Sequence, residues 1–443
     1  NIARIEYYFA EFLSLLELPN PEGRNLDVVS DKWENDPKLL KNGKLRLPVN
    51  MWFIGTANND DSTFAISDKV YDRAMVMNLD KKAKPFEVEG YKNFKNIVSL
   101  DFSDVRDYKF NSNCVKDKKL NNIIIYGKNA VGKTNLGTAL MDIKDNFVRI
   151  PNFLILDQNY INADSNKKEA RFKYIFEIDN NEIVYEYKKG EDARLILETL
   201  EINQNHIFTY NHISKKKNLG NIELINASTL NWETLENNVS ILNYIVNNIP
   251  LDESNILKKL YEFISGMSFI SGNNLLENKN NIYIEDIIEK NQVKELEKFL
   301  NKFDINEKLE LKTLPTGKKE IYLQHKKSID FITSISSGTK ALVKLFIWLR
   351  NIEKLAFLYI DEFDAFYHYE LSEKIIKMLE NINNCQTVTT THNTSLLSNR
   401  IMRPDCFFIL NTERLTSIVN STDRELREGH NLEKLYRSGE FDG

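Results

Sequence analysis

The most constraining stretch of this chain is Gly127-Lys128-Asn129-Ala130-Val131-Gly132-Lys133-Thr134. It follows a β-branched run, Ile123-Ile124-Ile125-Tyr126, and leads into a helix-like segment from Asn135 to Ile143. Glycines at both ends allow a loop whose backbone N–H groups turn inward, and the helix that follows adds the positive end of its dipole. Lys133 places a point charge near the β- and γ-phosphates, and Thr134 offers a hydroxyl to Mg²⁺. A strand, a loop of this spacing and a helix together predict binding of a nucleoside triphosphate through residues Gly127 to Asn135.

A chain of 443 residues is long enough for two or three domains. With 42% hydrophobic and 28% charged residues it reads as soluble and globular. No apolar run approaches the about 18 residues of a membrane span. The best, Leu355 to Ile360, reads as a buried strand. No charged-then-apolar leader opens the sequence, which argues against secretion and a membrane partner. Cys114, Cys385 and Cys406 lie far apart and have neither metal nor disulfide spacing, so a reducing cytoplasm is expected. A net charge of −5 argues against a wholly basic nucleic-acid binder. The patch Lys215-Lys216-Lys217 reads first as a solvated loop and leaves DNA open as a partner.

The segment before residue 85 has its own pattern. Ile2, Ile5, Phe9, Phe12 and Leu16 recur at helical spacing, and Leu47 to Ile54 reads as a strand ending in Gly55-Thr56-Ala57-Asn58. With Ile66 to Ala74, these segments resemble the later half of an AAA+ module, most like the McrB-type GTPase motors of restriction systems. The resemblance would make Asn58 a sensor residue and Arg73 an arginine finger. Asn1-Ile2-Ala3-Arg4 matches the stretch just after the acidic Walker B motif of that family, so this fragment lacks the family's P-loop and acidic pair. Without phosphate ligands, Asn58 and Arg73 are expected to be structural or vestigial. An incomplete reading frame, a fusion scar and a docking module all fit.

From Pro85 the pattern restarts. Phe86 to Phe102 alternates like a two-strand meander with a turn near Lys95-Asn96. Residues 168 to 210 predict a second meander, with Asp179-Asn180-Asn181 supplying the first hairpin turn. Residues 231 to 305 read as a helical insertion broken by Pro250, too interrupted for a long coiled coil. The expected divisions are 1–84, 85–230 with the P-loop, 231–320 mainly helical, and 321–443 with the remaining motifs.

Three of those motifs complete a site. Phe357 to Ile360 is an apolar strand delivering Asp361 and Glu362. A strand beside the P-loop strand would let Asp361 reach the Mg²⁺ held by Thr134 and aim Glu362 at the attacking water. Ser336-Ser337-Gly338-Thr339 opens a helix, where free N–H groups and the dipole form a second anion site. Thr387 to Thr391 is a β-branched strand ending in His392.

In this order, the motifs of residues 85–443 resemble ABC-type ATPase heads of the SMC and OLD class, closest to bacterial ATPases of abortive-infection and phage-defence operons. Glu89 to Phe94, Asp104 to Phe110 and His430 to Phe441 carry the closer likeness. The resemblance implies an α/β fold of P-loop NTPase type: a mixed sheet with flanking helices, an antiparallel meander and a helical insertion. It implies ATP and Mg²⁺ as ligands, slow hydrolysis with Glu362 and His392 catalytic, and two heads sandwiching two nucleotides. Ser336, Ser337, Gly338 and Thr339 of one head would then complete the other's site. Gln158 is the nearest candidate for the family's Q-loop glutamine. No nuclease constellation accompanies these residues, so an effector, a nuclease or a toprim-type protein, is expected as a separate partner. A nucleotide-gated scaffold, a GTP-dependent restriction motor and an SMC-like DNA-repair ATPase are the competing readings.

Overall fold

A computed structural model describes residues 25–27, 40–41, 44–46, 81–148, 159–232, 239–271, 282–350, 354–365, 367, 369–382 and 384–441. The chain divides into two units, Asn1–Asn78 and Leu79–Gly443. In the first, the described residues are three short antiparallel strands, with Lys44–Arg46 between Asn25–Asp27 and Leu40–Lys41. Asn58 and Arg73 lie outside the described residues.

Two sheets organise the second unit. One is antiparallel and seven-stranded, in the order Lys216–Leu219, Asn205–Asn211, Leu195–Ile202, Asn181–Gly190, Glu169–Ile178, Lys81–Glu89 and Val98–Leu100. Alternation carries its packing: Phe172, Tyr174, Phe176 and Ile178 face the core from one strand, Ile183, Tyr185 and Tyr187 from the next. The hairpin between these strands turns at Asp179 and Asn180, whose φ values of 50° and 61° are the left-handed pair that a two-residue turn requires. The turn expected near Lys95-Asn96 starts earlier. The first strand stops at Glu89, and Gly90 to Ile97 form the connection, with Tyr91 bridging Phe94.

The other sheet has six strands, in the order Met267–Ser271, Phe357–Asp361, Gln386–Thr391, Asn122–Tyr126, Phe407–Leu410 and Leu415–Ser417. The first five are parallel and the last is antiparallel. Two expectations are corrected here. The strand bearing Asp361 does not adjoin the P-loop strand, because Gln386–Thr391 lies between them and pairs with both. Motif order along a chain carries no information on strand order across a sheet. The helical region 231–305 also contains a strand, Met267–Ser271, at the edge of the P-loop sheet. Five residues are too few for periodicity to separate from the helices Ile256–Ser265 and Ile282–Glu289 around them.

The helix Lys133–Phe147 touches both sheets. Toward the parallel sheet, a Cβ on Gly137 would fall 2.4 Å from Phe269 Cε2 and 2.6 Å from Tyr359 Cε1. That close approach accounts for a glycine inside a helix, where it costs about 1 kcal/mol relative to alanine. Toward the antiparallel sheet, the Tyr174 hydroxyl donates to the Ala139 carbonyl at 2.7 Å. Asp142 is buried against that sheet and accepts from Tyr160 and Tyr187, both at 2.7 Å. Lys189 stands 2.7 Å from the same carboxylate and is buried with it. Full pairing makes this buried charge tolerable.

The three cysteines are buried and free. Among the described residues, no helix is long and apolar enough to cross a membrane. At the end of helix Tyr369–Glu380, the Glu380 carboxyl takes the Cys114 thiol at 3.6 Å, and burial pushes it from 4.5 up to about 7. A carboxyl raised on folding favours the native state fully below its unfolded value and loses that contribution as pH rises through its folded value. Thermal unfolding midpoints are therefore expected to fall between about pH 5 and about pH 8, and to fall less in Glu380→Gln. Scanning calorimetry of both proteins across that range checks this, and parallel curves would refute it.

Candidate nucleotide-binding site

All five residues of the P-loop strand Asn122–Tyr126 are buried, as a strand inside a parallel sheet should be. The chain then turns sharply. A Cβ on Gly127 would fall 2.7 Å from the Leu410 carbonyl oxygen, so no larger residue fits. Ala130 at φ 63° and Gly132 at φ 108° are both left-handed, which turns successive N–H groups toward one side. Gly132 also leaves room for Asn93, whose amide nitrogen would come within 2.2 Å of an added Cβ. Asn93 donates to the Val131 carbonyl at 2.7 Å and accepts from the Asn135 amide at 2.7 Å. It thereby braces both sides of the loop, a role that spacing does not reveal because Asn93 sits on the connection after the first strand.

Lys133 is nearly buried, and each of its three N–H groups has an acceptor. They are the Gly127 carbonyl at 3.0 Å, the Lys128 carbonyl at 3.2 Å and His392 Nε2 at 2.8 Å. An ammonium can only donate, so Nε2 is the acceptor in this contact. Burial lowers the lysine's pKa, while the carboxylates of Glu362, Asp361 and Asp364 oppose that shift. The Tyr359 hydroxyl, fully buried, donates to the Lys133 carbonyl at 2.6 Å.

The acidic motif meets the P-loop directly despite the intervening strand. The Thr134 hydroxyl donates to Asp361 Oδ2 at 2.6 Å. Asp361 Oδ1 accepts from Thr390 Oγ1 at 2.7 Å, and the same Thr390 oxygen accepts from the Glu362 N–H at 2.8 Å. Glu362 has φ 49°, an uncommon conformation for a residue with a long side chain. Its carboxylate oxygen lies 3.7 Å from His392 Nε2, with both side chains partly exposed. Next along the turn, the Asp364 carboxyl takes the Thr391 hydroxyl at 2.7 Å, and burial raises its pKa.

Lys133, Thr134, Asp361, Glu362 and His392 thus converge from three segments. Ser336 to Thr339 do not join them through hydrogen bonds. Ser336 caps the helix Ser337–Leu349 by accepting from the Thr339 N–H at 3.1 Å, and the two hydroxyls lie 2.9 Å apart. Ser336 and Ser337 are exposed. Gln158 lies outside the described residues.

Among the described residues, no group of three or more His, Cys, Asp or Glu side chains could hold a metal ion. Thr134 and Asp361 are hard oxygen donors held side by side. That set suits Mg²⁺, which takes one or two protein oxygens and completes its shell with phosphate and water.

A parallel sheet, a glycine loop at a helix start and an Asp–Thr pair facing that loop define a P-loop NTPase. Residues 123–398 match the family described as "AAA domain, putative AbiEii toxin, Type IV TA system". The match spans more than half of the chain, and the chain belongs to this family of P-loop ATPases. Family membership implies nucleotide binding, usually with Mg²⁺. Among solved structures, the SMC head domain from Thermotoga maritima is 16% identical, with 76% of this chain and 99% of that one covered at a TM-score of 0.41. The Smc head domain from Pyrococcus furiosus, bound to the C-terminal domain of ScpA, is 13% identical, with 76% and 96% covered at 0.42. The recombination mediator RecF with ATP is 16% identical, with 76% and 99% covered at 0.34. No curated protein matches the sequence.

Lys133→Ala removes the ammonium at the centre of this cradle. Equilibrium binding of a fluorescent ATP analogue is expected to weaken at least about a hundredfold, the scale of losing several charge-assisted bonds. Unchanged binding would overturn the P-loop assignment.

Proposed function

We propose that this chain binds and hydrolyses ATP and works as a head-to-head dimer, as the ATPase component of a prokaryotic anti-phage or abortive-infection system. The observation that carries the hydrolytic reading is the convergence of Lys133, Thr134, Asp361, Glu362 and His392 at the end of one sheet. Phosphoryl transfer asks a protein for position and charge stabilisation rather than covalent chemistry. Lys133 would exchange its carbonyl and imidazole acceptors for phosphate oxygens. Thr134 and Asp361 would hold Mg²⁺, which offsets the charge on the phosphates. Glu362, at the mouth of the site, would take the proton of the attacking water, and His392 beside it, its contact with Lys133 released, would donate a ring N–H to the γ-phosphate.

The dimeric reading is supported by the free-facing helix start at Ser336. Ser336 and Ser337 are exposed there, and the positive end of the helix Ser337–Leu349 suits a partner's phosphate. The defence reading rests on the sequence resemblance and on the family's own description as a toxin-system ATPase domain. In this reading a separate nuclease or toprim-type protein carries the effector chemistry.

Glu362→Gln keeps shape and hydrogen bonding but cannot accept a proton. Steady-state phosphate release is expected to fall by about a hundredfold or more, with ATP binding retained and an ATP-dependent dimer accumulating in gel filtration. Unaltered turnover would move the base to another residue, and a stable chain that binds ATP without turnover in its native form would be a nucleotide-gated scaffold.

Ser336→Arg should leave ATP affinity of the monomer nearly intact while blocking dimerisation and hydrolysis, because a cation opposes the helix dipole and fills the anion slot. Mixed with Lys133→Ala, it should recover part of the activity, since one composite site carries both lesions and the other neither. Loss of monomer ATP binding in Ser336→Arg, or no recovery in the mixture, would refute completion of the site in trans.

A further inference from the structure

The sheet order that separates the P-loop strand from the acidic strand puts a threonine strand in the gap. Its residues divide their hydroxyls between two tasks. Thr389 donates to the Ile123 carbonyl at 3.3 Å, tying the strand to its P-loop neighbour. Thr390, fully buried, is turned to the other side, and its hydroxyl is hydrogen-bonded to the acidic motif, Asp361 Oδ1 at 2.7 Å and the Glu362 N–H at 2.8 Å. The direction of these bonds follows from chemistry. A backbone N–H must donate, so the hydroxyl oxygen accepts from Glu362 and its single proton is left for the Asp361 carboxylate.

We propose that Thr390 is the positioning residue that holds the metal-binding carboxylate and the base-bearing backbone in one geometry. The assignment deepens the hydrolytic reading above and rests on it. Asp361 has one oxygen engaged by Thr134 and the other by Thr390, which fixes the carboxylate plane against the P-loop. Glu362 sits at φ 49°, and a residue in that region persists only when its surroundings hold it. Its N–H is held by Thr390, while its carbonyl accepts from the Ala365 N–H at 3.1 Å. A threonine with its methyl packed in the sheet cannot rotate freely, so the hydroxyl is a rigid reference for both groups. Isosteric loss of the hydroxyl would leave Asp361 free to turn and the Glu362 N–H without this acceptor.

The test compares Thr390→Val, Thr390→Ser and Thr390→Ala with Thr389→Val as a control on the same strand. Two quantities are read: steady-state phosphate release, and the affinity for a fluorescent ATP analogue in EDTA and in Mg²⁺. Thr390→Val is expected to lose about 10- to 100-fold in kcat, the usual scale for groups that orient a metal ligand. Affinity in EDTA should stay unchanged, while the tightening produced by Mg²⁺ should shrink. Thr390→Ser should stay within about threefold of the parent in both, and Thr390→Ala should behave like valine, because the hydroxyl is all that separates serine from alanine. Should Thr390→Val fail to fold, the serine–alanine comparison decides alone. Equal turnover and equal Mg²⁺ response in serine and alanine would overturn the proposal, as would a matching loss in Thr389→Val. If the parent chain releases no phosphate, the hydrolytic reading fails, and the Mg²⁺-dependent tightening still decides whether Thr390 orients Asp361.

Discussion

An ammonium taken out of water has to find acceptors, and the site around Lys133 is arranged by that need. Two carbonyls of its own loop and the imidazole of His392 satisfy it. The carbonyls are available only because Gly127 and Gly132 let the loop curl back over the side chain. The imidazole is available only because the strand Gln386–Thr391 ends next to the P-loop strand. One buried charge therefore ties together the loop, the strand Gln386–Thr391 and the ends of the sheet. Each contact is a carbonyl or nitrogen acceptor, the kind of partner that phosphate oxygens can replace.

The helix carrying Lys133 is held from both sides by different means. Against the parallel sheet the contact is steric, with Gly137 packed on Phe269 and Tyr359. Against the antiparallel sheet it is polar and buried, through Tyr174, Tyr187, Tyr160 and the Asp142–Lys189 pair. Steric contact sets how near the helix can come. The paired charge sets its rotation and register, since a buried carboxylate that loses its partners costs several kcal/mol. Thr134 and Lys133 sit at the start of this helix, so their placement inherits both constraints.

Local features were legible along the chain. The hairpin at Asp179-Asn180 required left-handed residues and had them. The P-loop, the Asp361-Glu362 pair and His392 were readable because each is a short segment with its own chemistry. Asn93, Tyr359 and Thr390 were not, because a lone asparagine, a strand tyrosine and one threonine among four have no pattern to distinguish them. The strand Met267–Ser271 was lost for a related reason, being too short to show a period.

The amino-acid sequence by itself determined the elements and the reactive groups: glycines that turn a loop, a lysine and threonine at a helix start, two carboxylates at a strand end. These depend on residues close in the chain, where spacing maps onto geometry. Tertiary structure alone decided which strand lies between which, and with it that Asp361 meets Thr134 across an intervening strand through a helix start that leans over the sheet. It also decided that Thr390 faces the acidic pair while Thr389 faces the P-loop strand. Strand order is a property of burial and pairing over hundreds of residues, and no local spacing encodes it.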